Sequence, residues 1–356
     1  MTWPILNGGS GRKRNQIIGV DLGNRTTKAV LMERQGEALA LSRFALLETP
    51  APDPKLSPEP LAKHLRATAQ SLQAKAKWVC LAVGRDDTVV RQVELPPIPV
   101  DEMRLVLKNN PKSYLQQDLS RYAFDCHVFP PKPAKSGETP KPGTLPKLKV
   151  LVAGAREQLL QYFQTAIKRA GLSADRVVPG LIGPVNAFER ALPQVFANEV
   201  VALVDIGFKQ SSICVLDHGE LALSRVVNLG GDHLTVGLAE AMNITYAEAE
   251  GIKVGLASEA KSAIENLVVP LGRELRASLD FFEHQQDRLV THVYVSGGSA
   301  RSELILQTLH AELGVECRVW NPAESLHLAL PPEQAAEMAQ VGPQLAVAVG
   351  AALAAF

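Results

Sequence analysis

Two stretches of the chain share one pattern of apolar and polar positions. In IIGVDLGNRTTKAVL, residues 17–31, an apolar run reaches Asp21, a turn follows over LGNRTT, and KAVL begins a second apolar run. VVALVDIGFKQSSICVL, residues 200–216, repeats this order around Asp205. Short apolar runs bounded by turn residues predict buried strands. The repetition predicts two pseudo-equivalent halves, with Asp21 and Asp205 on opposite walls of one cleft.

Elsewhere the patterns of strands and helices alternate, which is typical of a largely mixed or parallel sheet. Amphipathic helices are predicted over 61–76, 157–170 and 258–286, and Pro270 is expected to kink or restart the last of them. Strands are predicted over 28–34, 37–47, 78–83, 89–95, 122–128, 148–153, 221–227, 293–296 and 316–319.

Proline-rich stretches interrupt the first half of the chain. Prolines 96, 97 and 99 end a predicted strand, and residues 129–146 hold six prolines with several lysines. Such a composition cannot bury a core, so 129–146 is predicted to be an exposed loop. We place it in a small inserted α+β subdomain at about 96–150, where Asp101 is expected to cap a short helix.

Length and charge narrow the classes of protein. At 356 residues the chain suggests two domains: a disordered leader over 1–16, a first domain over 17–192 that carries the insert, and a second over 193–356. Its 37 basic and 37 acidic residues cancel, which gives no general field for nucleic acid or anionic lipid. Four scattered cysteines indicate buried thiols in a reducing compartment. No apolar run approaches bilayer-spanning length, so a cytoplasmic protein without direct membrane insertion is expected.

The turn after the first predicted strand carries candidate chemistry. Gly23 allows close approach to the backbone, Asn24 offers amides, and Lys28 can neutralise an anionic oxygen. Together with the carboxylate of Asp21, this set suits a phosphate held with a magnesium ion. An ordinary hairpin is the alternative for one such turn, and the second copy around Asp205 favours the phosphate site.

The motifs DLGNRTTK, DIGFKQSS and SGGSA, in that order, resemble those of the actin, sugar kinase and heat-shock ATPase superfamily. Within it, the chain resembles the PilM family of type IV pilus assembly, which is similar to FtsA. The resemblance covers roughly residues 17–356 and includes VVRQVELPPIPVDEM, LSRVVNLGGDHLT and AEAEGIK. It implies an α/β, actin-like (ribonuclease H-like) duplicated fold, with two domains around a nucleotide cleft.

The resemblance also implies ATP and Mg²⁺ as ligands, with both aspartates reaching the magnesium ion or its waters. The implied nucleotide-binding residues are the first phosphate loop Asp21, Gly23, Asn24 and Lys28, the second loop Asp205 and Gly207, the ribose and base neighbours Glu250 and Lys253, and the adenine neighbours Gly297 and Gly298. Spacing alone allows plainer interpretations: a solvated ion pair for Glu250 and Lys253, and a strand-to-helix turn for the two glycines.

Three departures from the superfamily pattern leave hydrolysis open. Residues 208–210, FKQ, stand where small residues with Thr are expected and would crowd a phosphate. Residues 301–303 replace the usual Pro-Gly turn. In LIGPVNAFER only Asn186 and Glu189 could orient an attacking water. Nucleotide binding without turnover therefore stands beside a weak ATPase activity.

The favoured function is that of a scaffold in the inner-membrane assembly platform of a type IV pilus or a related secretion system. The resemblance implies that it binds the cytoplasmic N-terminal tail of a PilN-like membrane protein, in a groove or at an edge strand near the insert. A sugar or acid kinase is the alternative, although no general base is well placed. An FtsA-like filament is a third, disfavoured by the lack of a terminal amphipathic helix; self-association is left open.

Overall fold

A computed structural model describes residues 14–51, 57–84, 87–130, 147–255 and 258–356. Most of the predicted loop at 129–146 and of the predicted leader at 1–16 lies outside these ranges. The last leader residues, however, belong to the fold: Gln16 begins the first strand, and Arg14 donates a 2.7 Å hydrogen bond to Asp175. The fold therefore includes residues before the predicted boundary at residue 17.

The described residues form the following strands and helices. The strands are β1 Gln16–Leu22, β2 Thr26–Gln35, β3 Ala38–Glu48, β4 Trp78–Val83, β5 Thr88–Leu95, β6 Tyr122–Val128, β7 Leu148–Arg156, β8 Ser173–Pro179, β9 Val200–Ile206, β10 Ser211–Asp217, β11 Glu220–Val227, β12 His292–Gly297, β13 Glu316–Val319 and β14 His327–Leu328. The helices are α1 Pro58–Ser71, α2 Val100–Asn109, α3 Pro111–Leu115, α4 Glu157–Arg169, α5 Gly183–Ala191, α6 Pro193–Asn198, α7 Gly231–Met242, α8 Tyr246–Val254, α9 Lys261–Gln286, α10 Glu303–Leu313, α11 Pro332–Val341 and α12 Ala346–Leu353.

Two sheets repeat one local arrangement. The first has the order β14-β3-β2-β1-β4-β8 and the second the order β11-β10-β9-β12-β13. β1 pairs antiparallel with β2 and parallel with β4, while β9 pairs antiparallel with β10 and parallel with β12. Asp21 and Asp205 therefore occupy corresponding places near the carboxyl ends of β1 and β9.

Helices α5 and α12 join the two sheets. Phe188 on α5 packs against second-half rings, at 4.8 Å from Tyr294 and 5.2 Å from Trp320 between centroids. One hydrophobic core accordingly contains residues of both halves. Small residues let α12 lie close to its neighbours: a Cβ on Gly350 would stand 1.8 Å from the carbonyl oxygen of Gly183. This packing sets how the two halves face each other.

A third sheet, β5-β7-β6, has its own hydrophobic core with α2 and α3. Its strands extend over residues 88–156, so it takes in chain on both sides of the insert predicted at about 96–150. The prediction that Asp101 caps α2 is wrong, because Pro99 occupies that position and Asp101 lies in the first turn. There its negative charge still interacts favourably with the positive end of the helix dipole, and the carboxylate lies 2.7 Å from Arg104.

Helix α9 continues through Pro270 as one element, so the predicted restart does not occur. Its apolar residues on both sides of the proline are buried in the second core, and that packing offsets the lost backbone hydrogen bond. The four cysteines are free thiols; Cys80 and Cys214 are buried, and Cys126 and Cys317 are half-buried.

Candidate functional site

Two neighbouring cavities lie at the carboxyl ends of β1 and β9. The smaller has a volume of about 70 Å³ and the larger about 260 Å³. All ten residues predicted from the sequence line one or both of them: Asp21, Lys28, Asp205 and Gly207 line both, Gly23 and Asn24 the smaller, and Glu250, Lys253, Gly297 and Gly298 the larger. The fold thus brings the predicted residues together around one cleft, and ligand binding there remains a prediction.

The first wall of the cleft is the tight turn between β1 and β2. Asp21 pairs with Lys28 in the strand register, and the Lys28 Nζ lies 3.4 Å from Asp21 Oδ2. A Cβ on Gly23 would stand 2.5 Å from the carbonyl oxygen of Thr26 and 2.9 Å from Lys28 Nζ. Glycine is therefore required at this position for the turn to stay compact.

The second wall is formed where β9 and β12 lie side by side. Asp205 is 7% exposed, and Ser296 Oγ donates a 2.9 Å hydrogen bond to Asp205 Oδ1. The two residues are partners in the parallel register of β9 and β12. Sequence reasoning missed Ser296, although it directly precedes the two glycines of SGGSA. The hydrogen bond fixes the orientation of the carboxylate.

These two carboxylates suit a magnesium ion better than a metal enclosed by protein ligands. Within the described ranges, no three His, Cys, Asp or Glu side chains group closely enough to hold a metal ion. Mg²⁺ keeps several waters and is commonly bound by one or two carboxylates together with phosphate oxygens. Asp21 and Asp205 on facing walls fit that mode of binding.

Glu250 and Lys253 form an ion pair whose ammonium is buried and whose carboxylate is partly exposed, so the interpretation as a solvated pair is wrong for Lys253. The Lys253 side chain is 4% exposed, and its Nζ donates to Glu250 Oε2 at 2.9 Å, Thr235 Oγ1 at 2.7 Å and the Gly231 carbonyl at 3.1 Å. Burial lowers the pKa of Lys253. Burial raises the pKa of Glu250, but hydrogen bonds from Lys253 and Thr235 outweigh it and hold that pKa below its ordinary value.

Glycines shape the floor of the larger cavity. Gly297 has a φ of 94°, and a Cβ there would stand 2.3 Å from the carbonyl oxygen of Ile206. Gly298 is different, because the nearest atom to its added Cβ would be Gln344 Oε1 at 3.9 Å. The first glycine thus permits the backbone path, while the second leaves the cavity open. Gly231, the last residue of an LGG turn, also lines this cavity and lies beside Lys253. This role was not predicted from the sequence.

All three residues of the segment FKQ at 208–210 line the smaller cavity, and two of them also bond to neighbouring side chains. Lys209 Nζ lies 2.6 Å from Asp232 Oδ2, and Gln210 Nε2 donates to Asn228 Oδ1 at 2.9 Å. Phe208 lines both cavities. All three large residues therefore border the smaller cavity, and Phe208 borders the larger one as well.

The segment predicted to orient an attacking water lies elsewhere. Asn186 is buried on α5 and donates a 3.3 Å hydrogen bond to the Gly350 carbonyl. Neither Asn186 nor Glu189 lines the two cavities. The departure at 301–303 has a structural role, because the Ser302 hydroxyl accepts from the Ile305 amide and caps α10. Arg301 lines the larger cavity, a position that was not predicted from the sequence.

Glu250→Gln is expected to lower stability at pH 7, because it leaves the buried Lys253 without its carboxylate. Removing one partner of a buried pair costs several kcal/mol, and the partial exposure of Glu250 reduces this to about 1–2 kcal/mol. The folded-state pKa of Glu250 is lowered, so its contribution is present above its ordinary value of 4.5 and is lost as the pH falls through the folded value.

Thermal denaturation at a series of pH values measures this effect. The deficit of Glu250→Gln relative to wild type should shrink on acidification, because protonated Glu250 then resembles glutamine. Glu240→Gln, at an exposed position on α7, is the matched control and should follow wild type. A deficit that stays constant from pH 7 down to the acid transition would contradict the role assigned to the carboxylate.

Comparison with known proteins places the chain in a family. The family described as type IV pilus assembly protein PilM matches residues 19–356. Cell division protein FtsA of Bacillus subtilis (strain 168) is 30% identical over 103 residues, 29% of this chain, and the match covers only 22% of that relative's length. In the part of the chain that the structure describes, no helix combines the length and apolarity needed to cross a membrane.

Solved structures share the fold. The PilM-PilN type IV pilus biogenesis complex is similar with a TM-score of 0.81 and 23% identity, over 97% of this chain and 99% of that chain. MreB5 of Spiroplasma citri bound to ADP has a TM-score of 0.53 and 10% identity, over 95% of each chain. The predicted actin-like α/β fold and the resemblance to the PilM family are thereby confirmed.

Proposed function

Because the chain belongs to the PilM family of type IV pilus assembly proteins, we propose that it is a nucleotide-binding scaffold of the inner-membrane assembly platform. It binds ATP with Mg²⁺ in the cleft and holds the cytoplasmic tail of a PilN-like membrane protein. The protein itself lies in the cytoplasm, and its binding to this membrane protein keeps it at the inner membrane. The observation that carries the nucleotide part is the convergence of Asp21 and Asp205, from two equivalent strands, on one cleft.

Each part of the cleft suits one part of a nucleotide. The amides of the Gly23–Asn24 turn and the Lys28 ammonium would hold phosphate oxygens, and the two aspartates would hold Mg²⁺ or its waters. In the larger cavity, Glu250 and Lys253 would border the ribose, with the Lys253 ammonium holding the Glu250 carboxylate in place, and the open side of Gly298 would face the base. The bound ADP of the similar MreB5 structure supports this assignment.

We propose that nucleotide turnover is slow. Fast hydrolysis is helped by a general base that accepts a proton from the attacking water. Among the described residues that line the cavities, the carboxylates are Asp21, Asp205 and Glu250. The first two are assigned to magnesium, and Glu250 accepts hydrogen bonds from Lys253 and Thr235. A sugar or acid kinase would need a base in the same place, so the lining favours binding over phosphoryl transfer.

For the tail, the candidate groove lies between two outer strands. β5 is an outer strand of the third sheet and β11 of the second, and a cavity of about 350 Å³ separates them. Residues 88–91 of β5 line one side, and residues 224–226 of β11 line the other, with Leu181 and Gln117. An outer strand can accept an extended peptide by strand addition. Arg91 would favour a tail with an acidic side chain at this groove, whereas Arg225 is already paired with Glu274.

Arg91→Glu is expected to weaken tail binding by about ten-fold, since it places a repulsive charge on the exposed edge of β5. Fluorescence polarisation with a labelled peptide of the cytoplasmic tail of a PilN-like protein measures the affinity. Arg121→Glu is the matched control, because Arg121 is also exposed and lies beside β6 on the other outer edge of the same sheet. Weaker binding by Arg121→Glu with unchanged binding by Arg91→Glu would move the tail to the β6 side.

A further inference from the structure

Arg25 reaches across the cleft from the first domain to the second. It lies in the turn between β1 and β2, and its Nη1 donates a 3.2 Å hydrogen bond to the Tyr246 hydroxyl. The same nitrogen lies 3.8 Å from Glu250 Oε2. The guanidinium carbon is 5.3 Å from the ring centroids of both Phe208 and Tyr246. One side chain of the first domain therefore contacts three residues of the second.

The second-domain side of this contact is itself fixed. The Tyr246 hydroxyl donates to Asp232 Oδ1 at 2.9 Å, and Lys209 Nζ lies 2.6 Å from Asp232 Oδ2. Burial and the hydrogen bond to Asp232 raise the pKa of Tyr246 to about 12. Burial raises the pKa of Asp232, but hydrogen bonds from Lys209 and Tyr246 outweigh it and hold that pKa below its ordinary value. Tyr246 therefore stays neutral and Asp232 charged near pH 7.

These contacts border the cavities assigned to the nucleotide. Arg25 lines the larger cavity, and Phe208 lines both. Phe208 is also the residue that departs most from the small side chains expected in the second phosphate loop. The smaller cavity, which holds the first phosphate loop, has a volume of only about 70 Å³. The phosphate end of the cleft is thus narrow, and Phe208, which lines it, is also the residue that Arg25 contacts.

We propose that Arg25 is a positioning residue that clasps the two domains across the mouth of the cleft, and that nucleotide binds after this clasp opens. The expected change in nucleotide affinity rests on the proposed function. The contact between the domains rests only on the positions of Arg25, Phe208 and Tyr246. When only a fraction of the molecules can bind nucleotide, the apparent affinity is the intrinsic affinity multiplied by that fraction. Loss of the clasp should therefore raise the affinity for Mg²⁺-ATP.

Arg25→Ala tests the clasp, and Phe208→Ala tests it from the opposite domain. Each exposed cation–π contact or ion pair of Arg25 stabilises the closed clasp only weakly. Removing all of them together should therefore raise the fraction of open molecules and tighten Mg²⁺-ATP binding by about ten-fold. In the double variant, the change in the free energy of Mg²⁺-ATP binding should be smaller than the sum of the two single changes, since both variants break the same contact. Arg273→Ala, at an exposed position on α9, is the control and should bind as wild type does.

Domain opening is measured without nucleotide, so failure of the clasp and failure of nucleotide binding can be distinguished. Spin labels at Lys63→Cys on α1 and Glu240→Cys on α7 report the distance between domains, in a Cys126→Ser, Cys317→Ser background. Arg25→Ala should lengthen and broaden the distance distribution. An unchanged distribution, or weaker Mg²⁺-ATP binding by Arg25→Ala, would overturn the clasp. A longer distance without ATP binding by any variant would support the clasp and contradict the proposed function.

Discussion

Gly350→Ala is expected to destabilise the protein by about 3 kcal/mol or more, because the new methyl group would overpack a backbone contact. The added Cβ would stand 1.8 Å from the Gly183 oxygen and 2.5 Å from its carbonyl carbon. Both atoms belong to backbone, which cannot turn aside as a side chain can. Since α5 and α12 pack between the sheets, the change should also disturb how the two halves face each other.

Urea denaturation followed by far-ultraviolet circular dichroism measures this loss. Gly251→Ala is the matched control: Gly251 lies in α8, and a Cβ there would meet nothing within 4 Å. Replacing an unhindered helical glycine by alanine should stabilise the protein by about 0.5–1 kcal/mol. Equal stabilities of Gly350→Ala and wild type would show that α12 does not pack against α5 as described.

Asp21→Asn and Asp205→Asn are each expected to weaken the magnesium-dependent binding of ATP by about 100-fold, because each removes a carboxylate assigned to the ion or its waters. Asparagine keeps the shape of the side chain, so the turn after β1 and the contact with Ser296 should survive. Calorimetric titrations with magnesium and with a chelator in its place separate the metal-dependent part of the affinity.

Asp287→Asn provides the control for these two variants. Asp287 follows α9 with a φ of 52°, a conformation that asparagine also tolerates, and it lies outside the two cavities. It should bind Mg²⁺-ATP as wild type does. If Asp21→Asn and Asp205→Asn retain wild-type affinity and magnesium dependence, the two aspartates do not hold the ion.

The repeat of an apolar strand, an aspartate and a glycine-containing turn was enough to predict the paired halves and the cleft. That pattern is local: burial sets the strand, and the turn sets which residues follow its carboxyl end. The two glycines at the end of β12 were predicted from the resemblance, and the φ of 94° at Gly297 gives the physical reason why the first of them is glycine. Local rules therefore located the two aspartate turns, whereas Glu250, Lys253, Gly297 and Gly298 were predicted from the resemblance to the PilM family.

Contacts between distant parts of the chain could not be predicted in this way. Arg25 and Tyr246 are separated by 221 residues, and nothing in either local pattern indicates that they meet. Ser296 reaches Asp205 only because β9 and β12 are adjacent in the sheet. The burial of Lys253 likewise depends on α7 and α8 packing together, whereas its spacing from Glu250 indicates only a shared helical face.

The most direct test of the central claim is calorimetric titration of Mg²⁺-ATP into the wild-type protein and into Arg25→Ala. The proposed function predicts saturable binding to one site per chain and binding about 100-fold weaker in Asp21→Asn, and the clasp predicts tighter binding in Arg25→Ala. No saturable heat from either wild type or Arg25→Ala would contradict a nucleotide cleft. The chain would then act in pilus assembly through its partner groove alone.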